Sequence, residues 1–497
     1  MLENKKFAGG KNTEKGLPQR TAAMMEEIMS TLSRSYFENI REFSARLRRG
    51  KSFDILKREL SCQGGEICFF YVDGFVKDGE LQRVMQFLLP KQSLGSAKEV
   101  SRVIPYAEVE ISCDKEAIVS AVLSGQTLML SDKFGSEALL LDLRTYPARQ
   151  TGEPESDRVM QGARDGFVET LVMNTALLRR RIRDPRLVMR HFSVGESSKT
   201  DVVVCYMEGV ADEDYVSVVC DKIRNVRPKS LTLGTQSLAE CLVRRKWYNP
   251  FPKIRTTERP DTAAAQAMEG SVLIFCDTSP QVMILPTSIF DFLEEADDYY
   301  FPPMTGSYLR IIRIAILILS VISTPLWYLS LEYSEMLPSA LAFLVPKEPG
   351  ALPIILQLFI AELAIDGLKL ASMNTPNMLS NSLAVVGGLI LGDFAVSIGW
   401  FCKDVVFYLA CVSIANFAQQ NHELGYAFKF MRMLILALVF FFDIAGFVIG
   451  AVLFCIFVAT NSTVTRKKSY LYPLKPFDGR IMLRHIFRKK KDDFKNA

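Results

Sequence analysis

The sequence is poor in residues that hold metals and disulfides. It contains three histidines, and its ten cysteines form no C-x-x-C pair. His422-Glu423 is not followed by the second histidine of a zinc-protease helix. These absences exclude the common zinc motifs and a disulfide framework, so we predict no metal, no cofactor and reduced cysteines of a cytosolic compartment. The net charge of +4 is too small to indicate a nucleic-acid partner.

A signal peptide and a phosphate-binding loop are also missing. The first residues, MLENKKFAGGKNTEKG, are polar and lack an apolar core, which predicts a cytosolic N-terminus. In VGESSKT, Ser198 stands where a phosphate loop has glycine before Lys199, and the loop leads into a strand rather than a helix. No nucleophile–base pairing is visible either. An enzyme is therefore the least favoured class of function.

Long apolar stretches are abundant, but only in the last two-fifths of the chain. They predict an α-helical multi-pass membrane domain over 305–460, followed by a basic cytosolic tail over 461–497. Arg310 and Arg313 flank the first stretch, as expected for a cytosolic start. The predicted spans are four: Leu309–Leu331, Leu383–Trp400, Val405–Phe417 and Met431–Thr460, the last being long enough to tilt.

The first three-fifths reads as a charged globular protein that contains one module twice. After a polar arm (1–30), two apolar strands end in the same pattern of tyrosine, any residue, acid and glycine, beginning at Tyr71 and Tyr206. A polar turn and an amphipathic helix follow each strand, and a second pair of matching strands comes later in each half. The pattern predicts two tandem, duplicated α/β subdomains at 31–150 and 151–300.

One apolar segment, ALPIILQLFIAELAIDGLKLAS from Ala351, carries ionisable residues. Glu362, Asp366 and Lys369 fall on one helical face, which must face protein or water rather than lipid. We expect a re-entrant or amphipathic helix that lines a polar ion path, with Asp393 a further candidate. An even number of spans also returns the tail to the cytosol. Structural ion pairs between packed helices are the alternative.

Two polar stretches stand out in the second subdomain. In TTERPDTAAAQAMEG, Glu258 and Arg259 precede a helix that Pro260 and Asp261 begin, and we predict a structural junction there rather than a catalytic site. The run RRRIR from Arg179 could bind phosphate or a partner's acids. A solvated helix end that complements the helix dipole is the alternative.

Several segments together resemble the A-subunit family of GerA-type spore germination proteins. They are QGARDGFVETLVMNTALLRRRIRDP, GESSKTDVVVCYMEGVAD, FPKIRTTERPD and EGSVLIFCDTSPQVMILP, and the resemblance runs from about Asp157 to Tyr472. Where most nutrient-receptor subunits carry a Gly-Thr-Pro turn, this chain has Asp277-Thr278-Ser279-Pro280. That departure is similar to a receptor-like branch of the family and puts direct nutrient sensing in doubt.

The resemblance implies a multi-pass protein of the bacterial spore inner membrane with both termini in the cytosol. It implies a ring-shaped homo-oligomer around a pore for monovalent cations, which triggers or amplifies germination together with a small membrane partner and other germination proteins. Glu362 and Asp366 would repeat around such a ring and favour cations. A membrane scaffold that assembles germination proteins without conducting ions is the competing hypothesis.

Overall fold

A computed structural model describes residues 30–106, 108–145, 159–160, 162–243, 248–348, 350–374, 385–419, 421–461, 463–464 and 469–487. The chain divides into two compact units. One contains 1–152, 165–235 and 258–282, and the other contains 153–164, 236–257 and 283–497. Residues 1–29 of the polar arm, the join near Thr151 and residues 462, 465–468 and 488–497 of the basic tail lie outside the described residues.

The first sheet has five strands. Its elements are α1 (Tyr36–Arg46), β1 (Ile55–Cys62), β2 (Gly65–Val72), α2 (Asp78–Leu88), α3 (Ala97–Val103), β3 (Val109–Ser112), α4 (Lys115–Leu123), β4 (Thr127–Ser131) and β5 (Ala138–Leu141). The strand order is β1-β2-β4-β5-β3, and neighbouring strands are antiparallel. Helices pack on the sheet because every residue of β4 and β5 is buried and needs apolar cover.

The second sheet repeats the first in element order. Its elements are α5 (Leu171–Arg181), β6 (Leu187–Val194), β7 (Thr200–Met207), α6 (Glu213–Asn225), α7 (Thr235–Leu242), β8 (Arg255–Thr257), α8 (Pro260–Met268), β9 (Val272–Cys276) and β10 (Val282–Leu285). The strand order, β6-β7-β9-β10-β8, matches that of the first sheet. The prediction of an α/β N-terminal region is confirmed at this level, while its solubility and the subdomain boundaries stay predictions.

The repeated sequence pattern falls at equivalent places in the two sheets. Tyr71 pairs with the second residue of β1, and Tyr206 pairs with the second residue of β6. The glycines that end the pattern, Gly74 and Gly209, both have φ +80°. That left-handed conformation costs a residue with a Cβ far more than it costs glycine, so the same residue recurs at the same turn.

The second unit is mostly helical. After a short 3-10 turn (Phe290–Leu293), its helices are α9 (Asp297–Tyr300), α10 (Pro303–Glu332), α11 (Ile354–Asn374), α12 (Val385–Ser397), α13 (Lys403–Phe417), α14 (His422–Ala459) and α15 (Gly479–Ile486). By length and composition, two helices of the described chain could cross a membrane, α10 and α14. A helical C-terminal region is therefore confirmed, and the number of crossings stays a prediction.

The expectation of one long, tilted span over Met431–Thr460 is wrong, because α14 folds back on itself. Asp443 has φ 51° and ψ −128°, which breaks the helix. The rings of Phe428 and Phe454 lie 5.7 Å apart, whereas a straight helix would separate them by about 39 Å. The segments 422–442 and 444–459 are thus the two antiparallel arms of a hairpin.

Two glycines allow the arms to pack closely. Gly446 lies against the Leu438 carbonyl, with no room for a side chain, and a Cβ on Gly450 would lie 3.2 Å from the Ile435 Cα. The spacing Gly446-x-x-x-Gly450 puts both on one face of the second arm. Close backbone approach of this kind is what small residues four apart provide in membrane helices.

Candidate functional site

Glu362 is the centre of a group of ionisable side chains between apolar helices. It lies in the first half of α11, and its side chain is 7% exposed. Its Oε1 accepts hydrogen bonds from Arg432 Nε at 3.1 Å and Nη2 at 2.5 Å. Its Oε2 lies 2.9 Å from Lys429 Nζ. Both carboxylate oxygens are therefore engaged by cations of α14, as a buried charge requires.

Helix periodicity brings these groups together. Glu362 and Asp366 are four apart on α11, and Lys429 and Arg432 are three apart on the first arm of α14, so each pair lies on one helical face. Arg432 also donates to the Ser320 carbonyl of α10 at 2.9 Å. We call Glu362, Asp366, Lys429 and Arg432 the ionic cluster. It joins α10, α11 and α14.

Asp366 is the more accessible acid of the ionic cluster. Its Oδ2 lies 2.5 Å from Lys429 Nζ, and its side chain is 32% exposed. Lys369, one helical turn further on, does not pair with it. Instead the Lys369 ammonium stands 4.8 Å from the ring centre of Tyr426 and 5.5 Å from that of Phe417, both cation–π distances.

An open pocket adjoins the ionic cluster. It is lined by α11, by the end of α13 and by the start of α14. Its polar lining consists of Glu362, Asp366, Lys369, Ser413, Asn416, His422, Tyr426 and Lys429. Polar side chains from three otherwise apolar helices thus converge on one open pocket, and sites for ions and small polar ligands within helical bundles are built in this way.

The other predicted ion-path residue lies elsewhere. Asp393 is exposed and belongs to a π-helical turn, Ile390–Phe394, within α12. It is not among the residues that line the pocket. The structure therefore brings together Glu362, Asp366 and Lys369 but not Asp393. Whether any of the four contacts an ion stays a prediction.

The predicted junction closes on itself at the start of α8. Arg259 occupies the N-cap position and Pro260 the first helical turn. Arg259 is 2% exposed, and its Nε and Nη2 donate to the two oxygens of Asp261 at 3.0 and 2.6 Å. Glu258 accepts from Phe167 N through its carbonyl at 2.8 Å. These contacts are those of a structural element, and its role stays a prediction.

Sequence reasoning missed Lys429 and Arg432, the basic half of the ionic cluster. The predicted last span, Met431–Thr460, leaves Lys429 outside and includes Arg432 without a partner for its charge. The signal was present, because KFMR places two cations three residues apart within an apolar run. Two buried cations on one helical face indicate facing carboxylates, and α11 is the apolar segment that carries them.

Sequence reasoning also missed a second charged group, in which arginines of α10 contact acids of the segment before it. Arg310 and Arg313 are buried rather than flanking. Arg310 Nε and Arg313 Nη1 donate to Oδ2 of Asp298 at 3.1 and 3.0 Å. Burial raises the pKa of Glu295, which receives Arg313 Nη2 at 2.5 Å, to about 7. The basic residues at this helix end therefore serve packing as well as orientation.

The C-terminal helix joins this charged group. His485 Nδ1 and Glu294 Oε1 lie 2.9 Å apart. Burial alone would lower the pKa of His485, but the hydrogen bond to Glu294 and the neighbouring acids outweigh burial and raise it. His485 and Glu294 thus form an ion pair that attaches α15 to the segment before α10.

Comparison with known proteins finds similarity along the whole chain. The family model described as Bacillus/Clostridium GerA spore germination protein matches residues 42–496. The stage V sporulation protein AF of Bacillus subtilis (strain 168) is 35% identical over 462 residues, which is 91% of this chain and 92% of that protein. Spore germination protein KA of the same organism is 24% identical over 468 residues, 92% of this chain and 85% of that protein.

One solved structure is also similar. It is the N-terminal domain of the A subunit of the Bacillus megaterium spore germinant receptor GerK3, with 24% identity and a TM-score of 0.39. The match covers 51% of this chain and 96% of that domain.

Proposed function

Because the chain belongs to the GerA family of spore germination proteins, we propose that it is a membrane subunit of an oligomeric complex that releases monovalent cations during germination. The pocket beside the ionic cluster lies on the ion path. In this proposal the chain forms a homo-oligomeric ring, acts with a small membrane partner and other germination proteins, and has no enzymatic activity.

The ionic cluster is the observation that carries the proposal. Charged side chains within apolar helices are costly, and they occur where ions or substrates pass or where they pair with one another. Glu362 meets its cost by pairing with Arg432. The pair of Glu362 and Arg432 does not require Asp366. Asp366 nevertheless lines an open pocket, and about a third of its side chain is accessible.

We therefore assign contact with the passing cation to Asp366. Glu362 instead stabilises the packing of the helices through its pair with Arg432. Repeated around a ring, a partly exposed carboxylate concentrates cations and excludes anions. Lys369 does not contribute to neutralising Asp366, since its ammonium stands over two aromatic rings; the cation that contacts Asp366 is Lys429. This assignment differs from an expectation based on spacing alone, in which Glu362 and Asp366 contribute alike.

A non-conducting scaffold is the second candidate function. It is favoured by the contacts of Glu362, since both of its carboxylate oxygens are already paired with cations. Two cations engage that carboxylate, and three positive side chains stand near two negative ones when Lys369 is counted. Such a group can serve helix packing alone. A scaffold would keep the ionic cluster for assembly and would pass no ions.

We also propose that both termini lie on the cytosolic side of the spore inner membrane. Within the second unit, Asn249 donates to the Phe457 carbonyl at 3.1 Å, and Asn461 donates to the Pro252 carbonyl at 3.2 Å. The end of α14 therefore lies beside a segment that precedes β8. Protease digestion of sealed, oriented vesicles would test this, and a tail cut only from the outer side would contradict it.

The conduction test uses the full chain reconstituted into K⁺-loaded liposomes. Wild type should release K⁺ faster than empty liposomes, and Asp366→Asn should slow the release because it removes the accessible charge. Asp393→Asn is the matched comparison, an intramembrane acid outside the pocket, and should behave as wild type. A change at Glu362 is less suitable, because it would leave Arg432 buried without its carboxylate.

Three outcomes separate the candidates. Slower release for Asp366→Asn alone supports the path through the pocket. Slower release for Asp393→Asn alone moves the path to α12. Release from wild-type liposomes at the rate of empty ones, with correctly inserted protein, supports the scaffold.

A further inference from the structure

The ammonium group of Lys429 sits where a transported cation would sit. Its Nζ lies 2.9 Å from Glu362 Oε2, 2.5 Å from Asp366 Oδ2 and 3.2 Å from the Glu362 carbonyl oxygen. Three oxygens of one helix thus surround a single positive charge. Carboxylate and backbone carbonyl oxygens are also the groups that replace the hydration shell of a monovalent cation in a selectivity site.

We propose that Lys429 is a built-in cation that closes the ion path in this conformation, and that monovalent cations pass only when its side chain leaves the two carboxylates. This inference rests on the proposed function, because it specifies how the same pocket is held shut. The ligand class of the vacated position is a monovalent cation of about the size of an ammonium group.

The two cations of the ionic cluster are suited to different tasks. Arg432 is 1% exposed and bridges Glu362 and the Ser320 carbonyl with three hydrogen bonds, so it fixes α10, α11 and α14 together. A guanidinium in such a fork cannot move without breaking all of these bonds. Lys429 is a compact charge on a flexible stem, and it contacts the acid that opens to the pocket.

The pocket supplies a route by which an ion could compete with Lys429. Asp366 lines it and is partly exposed, so a cation that enters the pocket can reach Asp366. Lys369 stands on the same side and is held by Tyr426 and Phe417, away from both carboxylates. Among the described residues that line the pocket, Lys429 is therefore the cation that occupies the carboxylates.

A structural ion pair and a closing cation predict different results when the charge of Lys429 is removed. If Lys429 only neutralises its neighbours, its loss destabilises the helices and opens nothing. If it closes the path, its loss leaves a vacant position that a mobile cation fills, and both conduction and cation binding increase.

The test uses Lys429→Gln and Lys429→Arg in the full chain, reconstituted into liposomes that contain K⁺ and a soluble dye. Lys429→Gln should raise K⁺ release about tenfold or more over wild type, the order of enrichment that an uncompensated charged cleft produces. Lys429→Arg keeps the charge on the carboxylates and should release K⁺ no faster than wild type does. Dye retention in every sample excludes general leakage.

Cation binding gives a second measurement that does not depend on conduction. KCl should raise the melting temperature of detergent-solubilised Lys429→Gln more than choline chloride does, because K⁺ fits the vacated position and choline does not. Wild type should show no such difference. If the glutamine variant does not yield monodisperse protein, Lys429→Met keeps the aliphatic stem and replaces it in both measurements.

The outcomes distinguish this inference from the function on which it rests. If the charge-removing variant is folded, releases K⁺ as wild type does and shows no preference for K⁺, Lys429 is a structural partner only, even when Asp366→Asn slows release by wild type. If both Lys429→Gln and Lys429→Arg release K⁺ rapidly, charge is not what closes the path. If no variant exceeds empty liposomes, the proposed function fails together with this inference.

Discussion

A buried ion pair in the first unit permits a quantitative test of the fold. Arg179, near the end of α5, donates to both oxygens of Asp54 at 2.8 and 3.1 Å, and the two side chains are 1% and 2% exposed. Arg179 also donates to the Leu187 carbonyl at 2.9 Å. Asp54 precedes β1, and Leu187 begins β6, so this single side chain ties the start of the first sheet to the start of the second.

Removing Arg179 alone should be costly. Arg179→Met leaves the Asp54 carboxylate buried without its cation, which costs about 3–5 kcal/mol. Changing both residues, Arg179→Met with Asp54→Leu, removes the stranded charge and should recover most of that loss, because apolar replacement of a whole buried pair is often neutral or better. Arg186→Met is the matched control, since it breaks an exposed pair with Asp184 in the same subdomain.

Hydrogen exchange, measured by mass spectrometry on the full chain in detergent, reports this loss of stability for each strand separately. Peptides from β1 and β6 of Arg179→Met should exchange about a hundredfold faster or more, since each 1.4 kcal/mol is a factor of about ten. The double variant and Arg186→Met should exchange much as wild type does. An Arg179→Met protein that exchanges within about fivefold of wild type would refute the reasoning.

Three further results are expected. Gly446→Leu should lower the protein level in membranes because it keeps the arms of α14 apart, whereas Asp443→Gly should be tolerated, since φ 51° suits glycine. Arg259→Ala should lower the protein level or assembly. Arg259→Lys should lower it less, because lysine keeps the charge but cannot donate both hydrogen bonds to Asp261. Normal assembly with lost function would indicate a ligand or gating role. The pKa of His485 is raised in the folded state, so the attachment of α15 is complete below about pH 6.5 and is lost as pH rises through the raised pKa. The anisotropy of a dye at the C-terminus should be high at pH 6 and should fall as the pH is raised through that pKa, and His485→Gln should remove this fall.

The α/β fold of the N-terminal region was predictable from the sequence because its signals are local and occur twice. The strand before Tyr71 and the strand before Tyr206 have the same apolar pattern and the same final glycine, and both become central strands of five-stranded sheets. A single apolar run could be a helix or a strand. A run that recurs with its turn and its following helix leaves much less ambiguity.

The hairpin of α14 was not predictable from apolarity. Hydropathy is the same whether an apolar run continues or turns back, so a long run reads as one tilted span. Asp443 was the available clue, because it places an acid in the middle of a run longer than a bilayer needs.

The role of Arg179 could not be found from its neighbours in sequence. Four arginines close together indicate a solvated helix end, and such ends complement the helix dipole. The helix of α5 nevertheless directs Arg179 inward, where Asp54 lies 125 residues earlier in the chain. A residue's sequence neighbourhood describes its helix, whereas its burial depends on a partner that only the tertiary structure identifies.

The sequence likewise leaves two interpretations of the ionic cluster, an ion path and structural ion pairs. The number of charges in the cluster helps to decide between them. One buried acid and one buried arginine, Glu362 and Arg432, already satisfy each other and join three helices. Lys429 and Asp366 add a second pair that this packing does not require, and a buried pair adds little stability compared with apolar side chains of similar size. A pair that contributes little to packing, borders an open pocket and places an ammonium among three oxygens therefore supports the proposed ion path over a role in assembly alone.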